Sequence, residues 1–156
     1  MSIYAYQAQE TWLPTVTGRT CSRIDVQEVL LQIHFGNLKD AGDGLVDAER
    51  TISLYGVWRV EHLDNVIAGA GDLDEVQTGD ALKVIIGTTL ERVEVSKPGF
   101  DLDLHFSGGI TVRCFPCDAS EFVEDIDEEA DFPISWWVDG IGVTNDWEEP
   151  YDPQGV

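Results

Sequence analysis

The sequence predicts a mainly β protein with minor α content, in which two similar antiparallel β-meanders pack into one domain. Three observations carry that expectation. The stretch GRTCSRIDVQEVLLQIHF (18–35) returns as GTTLERVEVSKPGFDLDLHF (87–106). Each copy alternates apolar and polar residues with the period of two that a half-buried strand requires. The copies differ in length only in the connecting turn, where a chain absorbs insertions that strands cannot.

Gly18, Thr20, Arg23, Ile24, Asp25 and Val26 match Gly87, Thr89, Arg92, Val93, Glu94 and Val95 at an offset of 69, and Leu31, Ile33, His34 and Phe35 match Leu102, Leu104, His105 and Phe106 at an offset of 71. In the first copy Val29, Leu31, Ile33 and Phe35 share one face, with Gln32 and His34 on the other. In the second, Phe100, Leu102, Leu104 and Phe106 oppose Asp101, Asp103 and His105. A turn at KPG would set Val93 opposite Leu102 and Arg92 opposite Asp103, a register favoured by opposite charges. A third strand is expected in each copy: TISLYGVWRVE (51–61), after the long polar connection GNLKDAGDGLVDAER (36–50), and GGITVRCF (108–115), after the tight turn SGG. The long connection has the composition of an insertion in one repeat.

Between the copies, GAGDLDEVQTGDALKVIIG (69–87) admits two readings, a short helix capped by Asp80 that stops at Gly87, or an extended strand. The repeats therefore span approximately 15–72 and 84–142 of a single domain, 1–156. Neither three-stranded sheet can bury its apolar face alone, and the second copy supplies the partner surface. The segment 145–156, with two prolines and little periodicity, is expected to be a flexible tail.

Charge narrows the classes of function. Thirty acidic residues against nine Lys and Arg give a formal net charge of -21. Such a chain repels nucleic acid and anionic membranes, so direct nucleic-acid or membrane binding is not expected, and cations or basic protein surfaces are the natural partners. With 43% hydrophobic and 10% aromatic residues it has the composition of a folded protein rather than a disordered acidic chain. The stretch MSIYAYQAQETW lacks the basic start and apolar run of a signal peptide, and three cysteines do not make a secreted disulfide framework. A cytoplasmic location is the expectation.

Motifs for chemistry are sparse. Cys114 and Cys117 form C-x-x-C, but at the end of a strand in an antiparallel meander rather than before a helix in a βαβ unit. As a zinc site the pair lacks two further local ligands. Ordinary small residues at a strand end are the simpler account. His34 and His105 occupy equivalent polar-face positions and raise the idea of a paired metal or acid–base site, yet neither stands in an H-x-x-x-H or H-E pattern, and two solvated histidines are the expectation. The carboxylates of GDLDE (71–75) and EDIDEEAD (124–131) do not have EF-hand spacing. There is no G-x-S-x-G, P-loop or G-x-G-x-x-G, so neither an enzyme, nor a catalytic residue, nor a cofactor, nor a metal is expected.

The C-terminal third is the region to which a binding role points. From Cys114 to Val156 there are thirteen acidic residues and no Lys or Arg, together with Trp136, Trp137 and Trp147. Carboxylates such as Glu124, Asp125, Asp127, Glu128 and Glu129 would steer a basic partner, and Trp136, Trp137 or Trp147 would anchor it. Because neighbouring strand residues face opposite ways, one Trp of the ISWWVDG pair is expected to turn inward.

The repeated G-x-T-x-x-R-[IV]-x-V…L-x-[IL]-H-F hairpin, the ITVRCF strand and the late ISWWVDG segment together resemble a family of small uncharacterised bacterial proteins, built on a twice-repeated strand hairpin with a late Ser-Trp segment. The resemblance spans roughly residues 15–140. The acidic stretches 36–50 and 121–132 and the tail after Asn145 depart from it. It carries over no catalytic residue. It implies an immunity-type role, in which an acidic inhibitor covers the basic surface of a partner such as a toxin nuclease. A nucleic-acid mimic that occupies several DNA-binding proteins is the alternative of a different class, and a small metal-dependent hydrolase using His34, His105 and nearby carboxylates is the third.

Overall fold

The computed structural model describes residues 3–72, 74–116 and 135–143, with the side chains of residues 3–5 excepted. The chain is mainly β. Among the described residues, α1 (Ile3–Glu10) and a 3-10 turn (Leu13–Thr15) lead into β1 (Cys21–Gln27), β2 (Leu30–Gly42) and β3 (Leu45–Tyr55). A hairpin follows, β4 (Trp58–His62) with β5 (Asn65–Gly69). Then the pattern restarts with α2 (Glu75–Leu82), a second 3-10 turn (Lys83–Ile85), β6 (Leu90–Ser96), β7 (Asp101–Phe106) and β8 (Ile110–Cys114), and β9 (Trp136–Gly140) comes last.

The strands form two sheets, ordered β1-β2-β3-β9 and β5-β4-β8-β7-β6, with antiparallel pairing throughout. Their inner faces share one core. Leu31, Ile33, Phe35, Ile52 and Leu54 from the first sheet and Val60, Leu102, Leu104, Phe106 and Val112 from the second are buried in it, closed at the ends by Leu13, Val16, Leu82 and Ile85 from the helical segments. The alternating faces read from the sequence are those the structure buries.

The repeat is an approximate two-fold symmetry, and its centre can be located. Thr20 and Thr89, equivalent to each other, form an isolated antiparallel bridge. Around it the bonds come in matched pairs. Gly18 N–H donates to Leu90 O as Gly87 N–H donates to Cys21 O, and Leu90 N–H donates to Arg19 O as Cys21 N–H donates to Thr88 O. Below the bridge the equivalent rings of Phe35 and Phe106 stack, centroids 6.0 Å apart.

Three expectations are corrected. The segment 51–61 is not one strand: the chain breaks after Tyr55 at Gly56, whose φ of +100° suits only glycine, and β4 crosses to the second sheet. There Trp58 pairs with Cys114, while β9 returns from the second repeat so that Trp136 pairs with Leu54. The repeats therefore exchange strands rather than stacking as separate meanders. The connecting helix begins at Asp74, not Asp80. Asp74 Oδ1 accepts from the backbone N–H groups of Val76 and Gln77, while Asp80 pairs with Lys83.

The register of the second hairpin is displaced by two residues. Val93 pairs with Leu104, Arg92 with His105 and Glu94 with Asp103, around a turn at 97–100. A shift of two keeps each side chain on its face, so the core set survives. The like charges this juxtaposes are met by guanidiniums, Arg92 on Glu94 at 3.2 Å and Arg113 on Asp103 at 3.2 Å.

Candidate functional site

The two halves differ most on the outer face of the first sheet. The connection 36–50, expected as a loop, is strand: β2 and β3 run on past the core as a two-stranded arm, bent at Gly36–Asn37 where the register shifts. Asp43 and Gly44, at φ +52° and +77°, make its two-residue turn, and an Asp-Gly dipeptide is a strong hairpin signal that was legible in the sequence. In the second repeat Ser107, Gly108 and Gly109 close the equivalent hairpin at once.

Between this arm and the outer face lies a groove of about 1100 Å³. Arg23, Asp25, Gln32, His34 and Thr51 belong to its sheet side, Leu38, Lys39, Leu45 and Asp47 to its arm, and Asp139 to Ile141 to its end. Leu38, Leu45 and Ile141 are exposed. One row across the sheet runs Asp25–Gln32–Ser53–Trp137, and the adjacent row Arg23–His34–Thr51–Asp139. Trp137, half-buried, stands on this same outer face with its indole N–H on Asp139 Oδ2 at 2.9 Å.

His34 was expected to be solvated and is buried instead. Both ring nitrogens have partners, Nε2 on Asp25 Oδ2 at 2.8 Å and Nδ1 on Thr51 Oγ1 at 2.8 Å. The second sheet repeats the pattern with Glu94, His105 and Thr111 at the equivalent positions. The two histidines lie on outer faces of different sheets, so they do not form one paired site.

On that second sheet Glu61 of β4 carries an ion-pair relay. Partial burial works against ionisation, but hydrogen bonds from Arg59 at 3.1 Å and Arg113 at 2.6 Å, with their attraction, outweigh it and hold the carboxyl below its ordinary range.

The sequence-derived binding residues divide. Trp137 is at the surface. Trp136 is wholly buried, its indole N–H donating to Phe100 O at 2.8 Å and its ring against Tyr6, so it belongs to the core and offers nothing to a partner. That inward turn of one Trp matches expectation. Glu124, Asp125, Asp127, Glu128, Glu129 and Trp147 lie outside the described residues, as do Cys117 and the tail 145–156. Cys114 ends β8, buried, its thiol directed at Ser135 O at 3.6 Å. The carboxylates of GDLDE have structural work: Asp72 accepts from Gly69 N–H, Asp74 caps α2 and Glu75 accepts from Glu28 N–H.

Trp58 is the residue the sequence reading passed over. It is the symmetry mate of Trp136, and its indole donates to Val29 O as that of Trp136 donates to Phe100 O. The signal was VWRVE (57–61) beside SWWVD (135–139).

Comparison with protein families, curated proteins and solved structures returns no match for this chain. Among the described residues no helix is long and apolar enough to cross a membrane.

Proposed function

We propose that this is a non-enzymatic, acidic binding protein of the immunity or inhibitor type, acting in the cytoplasm and covering a basic surface of a partner protein such as a toxin nuclease. The observation that carries the reading is the asymmetry of the outer faces. The core and the central strands obey the two-fold symmetry. The arm, its groove and Trp137 break it. Arg59 occupies the position equivalent to Trp137, and a three-residue turn replaces the arm.

A half-buried aromatic on the outer face, beside a groove edged by the exposed Leu38, Leu45 and Ile141, is anchoring chemistry. A net charge of -21 is steering chemistry, and the groove of a nuclease, built for phosphate, attracts carboxylates in the same way. The carboxylates of 124–129 add to that field from their place in the chain.

The test is affinity capture from host lysate with the full chain as bait, at low and high salt, alongside Trp137→Ala and a variant neutralised at 124–129. The reading expects one basic protein, held at low salt, released as salt screens the attraction, and lost from both variants. Capture of several unrelated DNA-binding proteins would transfer the function to nucleic-acid mimicry. Salt-insensitive capture, or capture indifferent to both variants, would contradict the reading.

A further inference from the structure

The same three-residue pattern, a carboxylate, a histidine and a threonine on neighbouring strands, is closed in one repeat and open in the other. His34 has both nitrogens satisfied at 2.8 Å. His105 does not. Its Nδ1 is 3.4 Å from Thr111 Oγ1, and its Nε2, buried from water, makes no hydrogen bond although Glu94 Oε2 lies 3.4 Å away. A buried ring nitrogen without a partner is costly, and native proteins rarely leave one without a reason.

A second difference falls at the same place. Where the first repeat has Gln32, directed to Ser53 Oγ at 3.5 Å, the second has Asp103. Glu94, Asp103 and His105 thus each offer a donor atom, all within 4.8 Å of one another.

We propose that Glu94, Asp103 and His105 bind a divalent cation of the zinc class on the outer face of the second sheet. One imidazole and two carboxylates are a donor set for such an ion, with metal–ligand distances of about 2.0–2.2 Å. Two ligands at that distance around a tetrahedral centre stand ~3.4 Å apart. The Glu94–His105 separation, long and misdirected for a hydrogen bond, is the edge of that tetrahedron. Asp103 completes a three-ligand face by a side-chain adjustment.

The surroundings fit a second shell. Arg92 pairs with Glu94 Oε1 and Arg113 with Asp103 Oδ2, which leaves Glu94 Oε2 and Asp103 Oδ1 for the ion. Glu61, itself paired with Arg59, takes up part of the Arg113 charge. Three protein ligands leave a fourth position for water.

The experiment titrates the full-length, metal-free protein with Zn²⁺ alone, in excess Mg²⁺ to occupy the many exposed carboxylates, and follows the histidine ring nitrogens by NMR. One tight equivalent is expected, with the His105 Nε2 resonance moving and those of His34 unchanged. Co²⁺ in place of Zn²⁺ should give no thiolate charge-transfer absorption, which separates this site from the cysteines. Asp103→Asn and Glu94→Gln keep shape and should each weaken binding by more than the roughly 10- to 100-fold typical of an outer-shell change. His105→Gln should abolish it. No tight equivalent, a thiolate band, an unmoved Nε2 resonance, or affinity indifferent to Asp103→Asn and Glu94→Gln would each overturn the proposal.

Discussion

Cys21, Trp58 and Trp136 show how single residues are committed by burial. Burial pushes the Cys21 thiol from an ordinary 9.0 up to about 12, because a thiolate there would lose its water. The folded state therefore holds its proton more tightly than the unfolded chain does. Stability contributed by the neutral thiol is complete below about pH 9 and is lost as the pH rises toward 12, since only the unfolded chain gains by ionising. Urea midpoints of the wild type should fall more steeply above pH 9 than those of Cys21→Ala, and native Cys21 should resist thiol reagents at pH 8. The two symmetry-related tryptophans make a paired prediction. Trp136→Phe strands a buried carbonyl, Phe100 O, at a cost of about 1–3 kcal/mol, whereas after Trp58→Phe the equivalent carbonyl, Val29 O, keeps the Gly56 N–H at 3.2 Å. Urea denaturation should show the larger loss for Trp136→Phe, and an equal or larger loss for Trp58→Phe would show that the Gly56 N–H does not compensate.

Strand edges and turns set which elements can change. The outer edge of β9 would be open but for α1: Ser135 N–H donates to Tyr6 Oη and Val138 N–H to Gln9 Oε1. On the other sheet β5 covers the equivalent edge of β4, so the two halves solve one edge problem by different means. Gly140, at the end of β9, leaves no room for a side chain, because a Cβ would collide with the backbone carbonyl of Glu49. The arm is another matter. Its equivalent in the second repeat is a three-residue turn, and most of its side chains stand outside the core. Replacing 36–49 by Ser-Gly-Gly should keep the far-ultraviolet circular dichroism of the sheets while removing the contacts of Ala48, the Arg19–Glu49 pair and the hydrogen bonds that Gly36 O and Glu49 O accept from Ser22, Arg50 and Ile141. It should abolish partner capture. A shortened protein that still captures its partner would remove the arm from the binding face.

At the scale of the whole molecule, the alternation of residues 29–35 and 100–106 made the core faces legible because one strand period is a local property. The two-fold repeat was legible for the same reason. What escaped the sequence was non-local. The crossing of β4 and β9 depends on a break at Gly56 and on partners fifty-six residues and more away, as in Trp58 with Cys114. The register of β6 with β7 follows the turn length, not the charge pairing that the sequence suggests. The burial of His34 is not visible in its own strand because it depends on Asp25 and Thr51, which only strand pairing brings to its ring. Trp136 and Trp137 are adjacent in sequence and opposite in role, which only the sheet face separates.

The exchange of β4 and β9 underlies every placement described above, since it ties each sheet to both repeats and makes the halves unfold together. Fluorine-labelled tryptophan observed by NMR through a urea titration tests it most directly, because Trp58 sits in one sheet and Trp136 in the other. Exchanged strands predict that both native resonances vanish at one urea concentration with one cooperativity. Two separate midpoints, with one sheet surviving the loss of the other, would contradict the interlocked fold.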